Sequence, residues 1–331
     1  MLSVLAWVGA VAAVTPLFSA PAGEDEVVLR RHDDRVRVEI GGRLFTEYVF
    51  RGVPKPYLYP IVAADGTELT RAFPMRTDVA GEETDHLHQR SLWFAHGKVN
   101  GIDFWNENGA NKGKIVSESV AASAGDGAAT ILARNRWVAP DGAVYLTDDT
   151  RIRVQPVAAG GRWLDYEVTL QAPAERAAVL GDTKEGAMAI RLARWMTLPR
   201  TGQKTTGGDG AIVNDRGARN GATWGKRAAW VDYHAPKGGQ VYGVALFDHP
   251  ANPRHPTWWQ VRDYGLFAAN PFGQHDFEGT REKPLPANLG DLTIPAGGRV
   301  TFRWRFYFHL GDETAANVAQ HYRDYAGEKT R

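Results

Sequence analysis

Two histidines and an arginine fall within one short stretch, Asp85-His86-Leu87-His88-Gln89-Arg90. On an extended segment His86, His88 and Arg90 share one face. A His-x-His pair on a strand brings two imidazoles close enough to hold one metal ion. It equally suits an acid/base histidine beside a binding histidine and an arginine. The blander reading is a set of structural histidines under a loop. The density of polar groups beside Trp93, Phe94, Phe104 and Trp105 favours function.

Gly181-Asp182-Thr183-Lys184-Glu185-Gly186 places three charges between glycines, just ahead of an apolar stretch. Such a loop can present Glu185 as a general acid or base once burial shifts its pKa. It can equally be a solvated turn carrying an exposed Lys184–Glu185 pair. A third cluster runs from Phe247 to Trp259 and contains three prolines, which keep it non-helical. There Asp248 beside His249 suits a carboxylate orienting an imidazole. Trp258 and Trp259 offer flat amphipathic surface for the apolar face of a sugar ring, or ordinary core packing. A fourth cluster, Arg262 to Gly273 with His275, reads mainly as structure.

These residues define the expected site. His86, His88 and Glu185 form the catalytic acid/base set, and Arg90, Lys184, Asp248, His249, Trp258 and Trp259 bind substrate. The set requires neither metal nor other cofactor, because an imidazole and a carboxylate with separated pKa values can move protons from two sides of a sugar ring. No GxSxG, HExxH or EF-hand loop occurs.

The composition narrows the partners. Lys plus Arg number 39 and Asp plus Glu 38, for a formal charge of +1, which argues against a basic nucleic-acid surface. With no cysteine there is no disulfide, no Cys-ligated metal and no thiol nucleophile. Residues 1–22 read as a signal peptide, with a retained N-terminal anchor as the alternative: Leu2 to Val14 is uncharged, and Ala20-Pro21-Ala22 provides a cleavage site. The expected setting is periplasmic or secreted, with no membrane contact after cleavage.

The elements that must position the site read as strands. Arg35 to Ile40, Gly41-Gly42 and Arg43 to Phe50 form a hairpin signature. Thr130 to Val138 and Val144 to Val154 flank Pro140-Asp141-Gly142, and Gly160-Gly161 leads into Trp163 to Leu170. Val300, Phe302, Trp304, Phe306, Phe308 and Leu310 alternate with polar residues along one strand. One helix is expected over 312–326, capped by Asp312. The fold class is therefore all-β: one large antiparallel β-sandwich domain over 25–326 with a single C-terminal helix.

The stretches 55–74, 84–105, 181–193, 242–259 and 262–273, in this order, resemble the PmoA family, a secreted bacterial family labelled "methane oxygenase PmoA". The architecture is similar to the galactose-mutarotase-like supersandwich, a fold shared by sugar epimerases, lyases and some glycosidases. The resemblance implies a carbohydrate-active hydrolase, lyase or epimerase acting on a sugar or glycan. The alternatives are a non-catalytic glycan-binding module and a metal-dependent enzyme, including the oxygenase that the label names.

Overall fold

The computed structural model of the protein describes residues 23, 25–199 and 207–328. The expected signal peptide over 1–22 lies outside the described residues. Two eight-stranded sheets build the body, and every ladder within them is antiparallel. The first runs, edge to edge, through Val27–Arg31, Arg35–Ile40, Arg43–Val49, Tyr57–Leu58, Leu92–His96, Gly186–Arg191, Leu266–Asn270 and Trp258–Val261. The second runs through Ala211–Asn214, Trp230–Lys237, Gln240–Asp248, Arg299–Leu310, Gly161–Gln171, Val144–Val157, Ala128–Val138 and Lys114–Gly125.

Local sequence explains the pairing. Gly41 and Gly42 both adopt positive φ (58° and 72°), the conformation a tight hairpin turn requires and glycine gives freely. The long strand Arg299–Leu310 has the bounds its alternation predicts. Its residues Phe302, Trp304, Phe306 and Phe308 are buried between the sheets. Across the interface, Phe94 of the first sheet meets Trp304 and Trp137 of the second at centroid distances of 5.7 and 5.9 Å. Phe45 meets Phe308 at 5.6 Å.

The C-terminal helix is shorter than expected, Val318–Gly327. Asp312 accepts the N–H groups of Thr314 and Ala315 and so closes a separate turn. Asn317, at φ 49°, divides that turn from the helix. A five-residue helix, Gln274–Glu278, was not signalled by periodicity. The polar stretch after Thr201 includes the strand Ala211–Asn214, which pairs with Trp230–Lys237 through buried Ile212 and Val213. Among the described residues, no helix is long and apolar enough to cross a membrane.

The aromatic interface between the sheets predicts its own cost. Phe94→Ala removes a ring that touches Trp137, Tyr166 and Trp304, and large-to-small changes of this kind cost about 3–5 kcal/mol. Urea denaturation measures this loss, and a change below about 1 kcal/mol contradicts cross-sheet packing at this ring.

Candidate functional site

The site begins with two buried arginines. Thr70 and Leu192 form a bridge, and the Arg71 N–H donates to the Arg191 carbonyl at 3.0 Å, so the two side chains start from adjacent backbone. Both guanidiniums are buried, and both turn towards residues 83–89. Arg71 donates to the Asp85 carboxylate at 2.6 Å, to the His86 carbonyl at 2.9 Å and to the Glu83 carbonyl at 3.3 Å. Arg191 donates to Gln89 Oε1 and to the Glu83 carboxylate at 3.1 Å. A buried guanidinium is tolerated only when carboxylates and carbonyls replace its water. Residues 83–89 supply that replacement and are held in place by doing so.

The segment is therefore a turn, not the extended strand the His-x-His spacing suggests. The Gln89 N–H donates to the His86 carbonyl at 2.9 Å, and His86 has φ 45°. The turn still brings the two imidazoles together, with ring centroids 5.7 Å apart. His86 also stacks on Tyr264 at 5.5 Å and 9°. Asp85 Oδ2 lies 2.5 Å from His86 Nδ1. Because a carboxylate accepts, Nδ1 carries the proton, and among the described residues no hydrogen bond engages Nε2. Burial pushes the Asp85 carboxyl up, but the His86 hydrogen bond and the charges of Arg191, His86 and Arg71 outweigh it and hold it well below its usual range.

His88 lies deeper. Burial, with help from the positive charges of Lys55 and His86, pushes its pKa down to about 3, so it is neutral near pH 7. Its ring sits 6.3 Å from Trp105, which packs on Trp93 at 5.0 Å. Nearby, Lys55 donates to Glu107 at 2.8 Å and to the Trp105 carbonyl at 2.8 Å. Arg90 grips Glu107 with two bonds of 2.8 and 2.7 Å. The expected hydroxyl-binding Arg90 is thus engaged in an internal fork with Glu107.

Glu185 arrives from the loop before the strand Gly186–Arg191. Asp182 anchors that loop: its carboxylate accepts the N–H groups of His275 and Gly290, and its own N–H donates to Asp291. Asn270 donates to the Thr183 carbonyl at 3.0 Å, and the Lys184 N–H donates to Asp276 at 2.7 Å. Gly97 makes room for Glu185, since a β-carbon there would meet Glu185 Cβ at 2.8 Å. Burial raises the Glu185 pKa; Lys184 opposes this, Asp103 and Asp276 add to it, and the charge of His86 lowers it. Tyr264 senses Glu185 in turn. The rings of His86, His88 and Tyr264 thus lie together, and Glu185 is coupled through charge to His86, Tyr264 and Lys184.

The other expected residues have different surroundings. Asp248 is buried and accepts from His255 Nδ1 at 2.7 Å, from Asn252 at 2.8 Å and from the Thr257 N–H at 3.1 Å. It therefore orients His255, not the adjacent His249. The His249 ring packs edge-on to Tyr325 at 5.0 Å, under the C-terminal helix, and lines a cavity of about 640 Å³ with Arg303 and Arg305. Trp259 is fully buried and donates to the Ala228 carbonyl. Trp258 is 3% exposed, donates to Glu278 and lies under the Arg227 guanidinium at 4.6 Å. Neither tryptophan offers a free ring face to a sugar, because both are covered by protein. The aromatic stacked on His86 is Tyr264, which the sequence clusters contain without a role. Asp85, directly before His86, and Arg191, a lone charge in an apolar run, were legible signals.

Acidification tests the neutral state of His88. With a folded pKa near 3 and an unfolded value of about 6.5, the unfolded chain binds the extra proton first, so stability falls as pH drops through that window. Urea midpoints at about pH 7.5 and 4.5 are expected to fall further in the wild type than in His88→Gln. Equal falls contradict the assignment.

Residues 35–323 match the model of DUF6807, a family of unknown function. No curated protein sequence matches the chain. Among solved structures, a GalM/aldose epimerase homologue from C. elegans is similar at 6% identity and a TM-score of 0.33, over 87% of this chain and 99% of that one. A candidate kojibiose phosphorylase from the human microbiome is similar at 7% identity and a TM-score of 0.32, over 86% of this chain and 32% of that one. The chain thus spans about a third of the phosphorylase's length.

Proposed function

The chain belongs to DUF6807, and from that premise we propose that it is a carbohydrate-active enzyme moving protons at a sugar ring with His86 and Glu185. The observation that carries this reading is the Asp85–His86 pair, together with the charge coupling of His86 to Glu185. Asp85 holds the proton on Nδ1 and leaves Nε2 as a base. Glu185, its pKa raised by burial, supplies a carboxyl group placed to give or take a proton. An imidazole and a carboxyl group acting together are what an epimerase or lyase needs at a ring carbon, and what a hydrolase needs at a glycosidic oxygen.

The other residues take supporting roles in this reading. Neutral His88 donates or accepts a hydrogen bond at a hydroxyl, and Lys184 adds a cation that favours an anionic intermediate. The Tyr264 ring backs His86 and restricts its tilt. The proposed setting is periplasmic or secreted, after removal of residues 1–22. The chemistry proposed rests on the side chains and not on the PmoA resemblance.

The test is proton exchange in D2O. Purified protein is incubated with a panel of reducing sugars, glycosides and uronic-acid glycans. NMR then follows anomer exchange, deuterium entry at ring carbons and new unsaturated or cleaved products. Glu185→Gln and His86→Ala are each expected to slow the reaction about 10²–10⁴-fold with circular dichroism and Tm retained. Wild-type rates in both variants contradict the assignment. Binding of a glycan without any turnover contradicts the enzyme and leaves the binding module.

A further inference from the structure

A second constellation lies on the outer face of the other sheet. Asp232 and His234, two residues apart on the strand Trp230–Lys237, point the same way. Asp232 Oδ1 is 2.6 Å from His234 Nδ1, and Glu313 Oε2 is 3.7 Å from that same nitrogen. One ligand atom from each of the three residues falls within a 4.8 Å sphere of mutual distances. Four-coordinate bonds of about 2.0–2.2 Å separate neighbouring donors by about 3.3 Å, which the 2.6 and 3.7 Å spacings bracket.

The surroundings brace the set. His309, almost fully buried, donates from Nε2 to the other Asp232 oxygen at 2.7 Å. It belongs to the strand Arg299–Leu310, and Gly243 of the strand Gln240–Asp248 lies between it and His234 in the ladder. The imidazole reaches across because Gly243 has no side chain: a β-carbon there would meet its Cε1 at 2.0 Å. Glu313 sits in the turn that Asp312 closes, and its other oxygen accepts from Arg219 at 3.0 Å. A carboxylate fixed by a histidine from behind, with one oxygen left for a second partner, is the usual support of a metal-ligating side chain.

We propose that Asp232, His234 and Glu313 bind one divalent transition ion of the zinc class, with His309 as the positioning residue behind Asp232. One imidazole nitrogen and two carboxylate oxygens suit zinc better than calcium, which prefers all-oxygen sets of six to eight ligands. The ion replaces the proton shared by Asp232 and His234 and ties the Glu313 turn, just ahead of the C-terminal helix, to the sheet. Its role is structural, because it joins two elements that otherwise meet through hydrogen bonds and aromatic packing. The inference is independent of the acid/base reading at His86 and Glu185.

The experiment uses untagged full-length protein dialysed against chelator and then titrated with Zn2+. Calorimetry is expected to give one ion per chain, and saturating Zn2+ to raise Tm by several degrees. Glu313→Gln, a change on a partly exposed turn, is expected to weaken binding at least about 10-fold while circular dichroism stays native. His234→Ala is expected to abolish binding. His86→Ala is expected to bind Zn2+ as the wild type does. The proposal is overturned if Zn2+ binds without fixed stoichiometry, if Glu313→Gln binds as tightly as the wild type, or if His86→Ala loses the ion instead.

Discussion

Two guanidiniums buried side by side organise this protein's candidate chemistry. Arg71 and Arg191 repel each other, and burial, with that repulsion added, holds the Arg191 pKa down to about 10. Without Glu83, Asp85, Gln89 and the His86 carbonyl, both charges would lie in the interior without water. The segment 83–89 answers that demand, and its shape follows: a turn, with His86 at positive φ and its ring laid on Tyr264. The geometry of the candidate site is thus tied to electrostatic necessity, and the same bonds that settle the arginines settle the histidine. Truncating one arginine also strips partners from Asp85, which orients the imidazole.

The opposite side of the site is fixed by another device. Asp182 accepts two backbone N–H groups, of His275 and Gly290, and donates its own to the Asp291 carboxylate, so the loop holding Glu185 is tied to distant segments. Gly97 then lets Glu185 lie against the neighbouring strand. Both devices attach to the strand Gly186–Arg191 of the first sheet, which packs on the second through Phe94, Trp137 and Trp304. A metal at Asp232, His234 and Glu313 would add a further tie on the far sheet, distinct from the site in residues and in role.

The fold was readable because period-two alternation and glycine turns are local signals. The strand Arg299–Leu310 and the hairpin around Gly41-Gly42 come directly from them. The helix start was not, because Asp312 can cap a turn as readily as a helix, and only the chain beyond it decides. Of the site, the His86, His88 and Glu185 clusters were visible as dense polar segments. Their arrangement was not: spacing suggested a strand where buried arginines impose a turn. Asp248 was paired with its sequence neighbour His249, whereas successive turns through Asn252 bring His255 to it. Trp258 and Trp259 show the same limit, since composition cannot tell a stacking face from a core face.

The side-chain 15N spectrum of the His86 imidazole, recorded at mildly alkaline pH, tests the account most directly. The wild type is expected to show a protonated Nδ1 and an unprotonated Nε2, with Arg191→Met shifting that tautomer balance as Asp85 loses its support. A wild-type His86 protonated at Nε2 alone would contradict the orienting role of Asp85 and the acid/base assignment built on it.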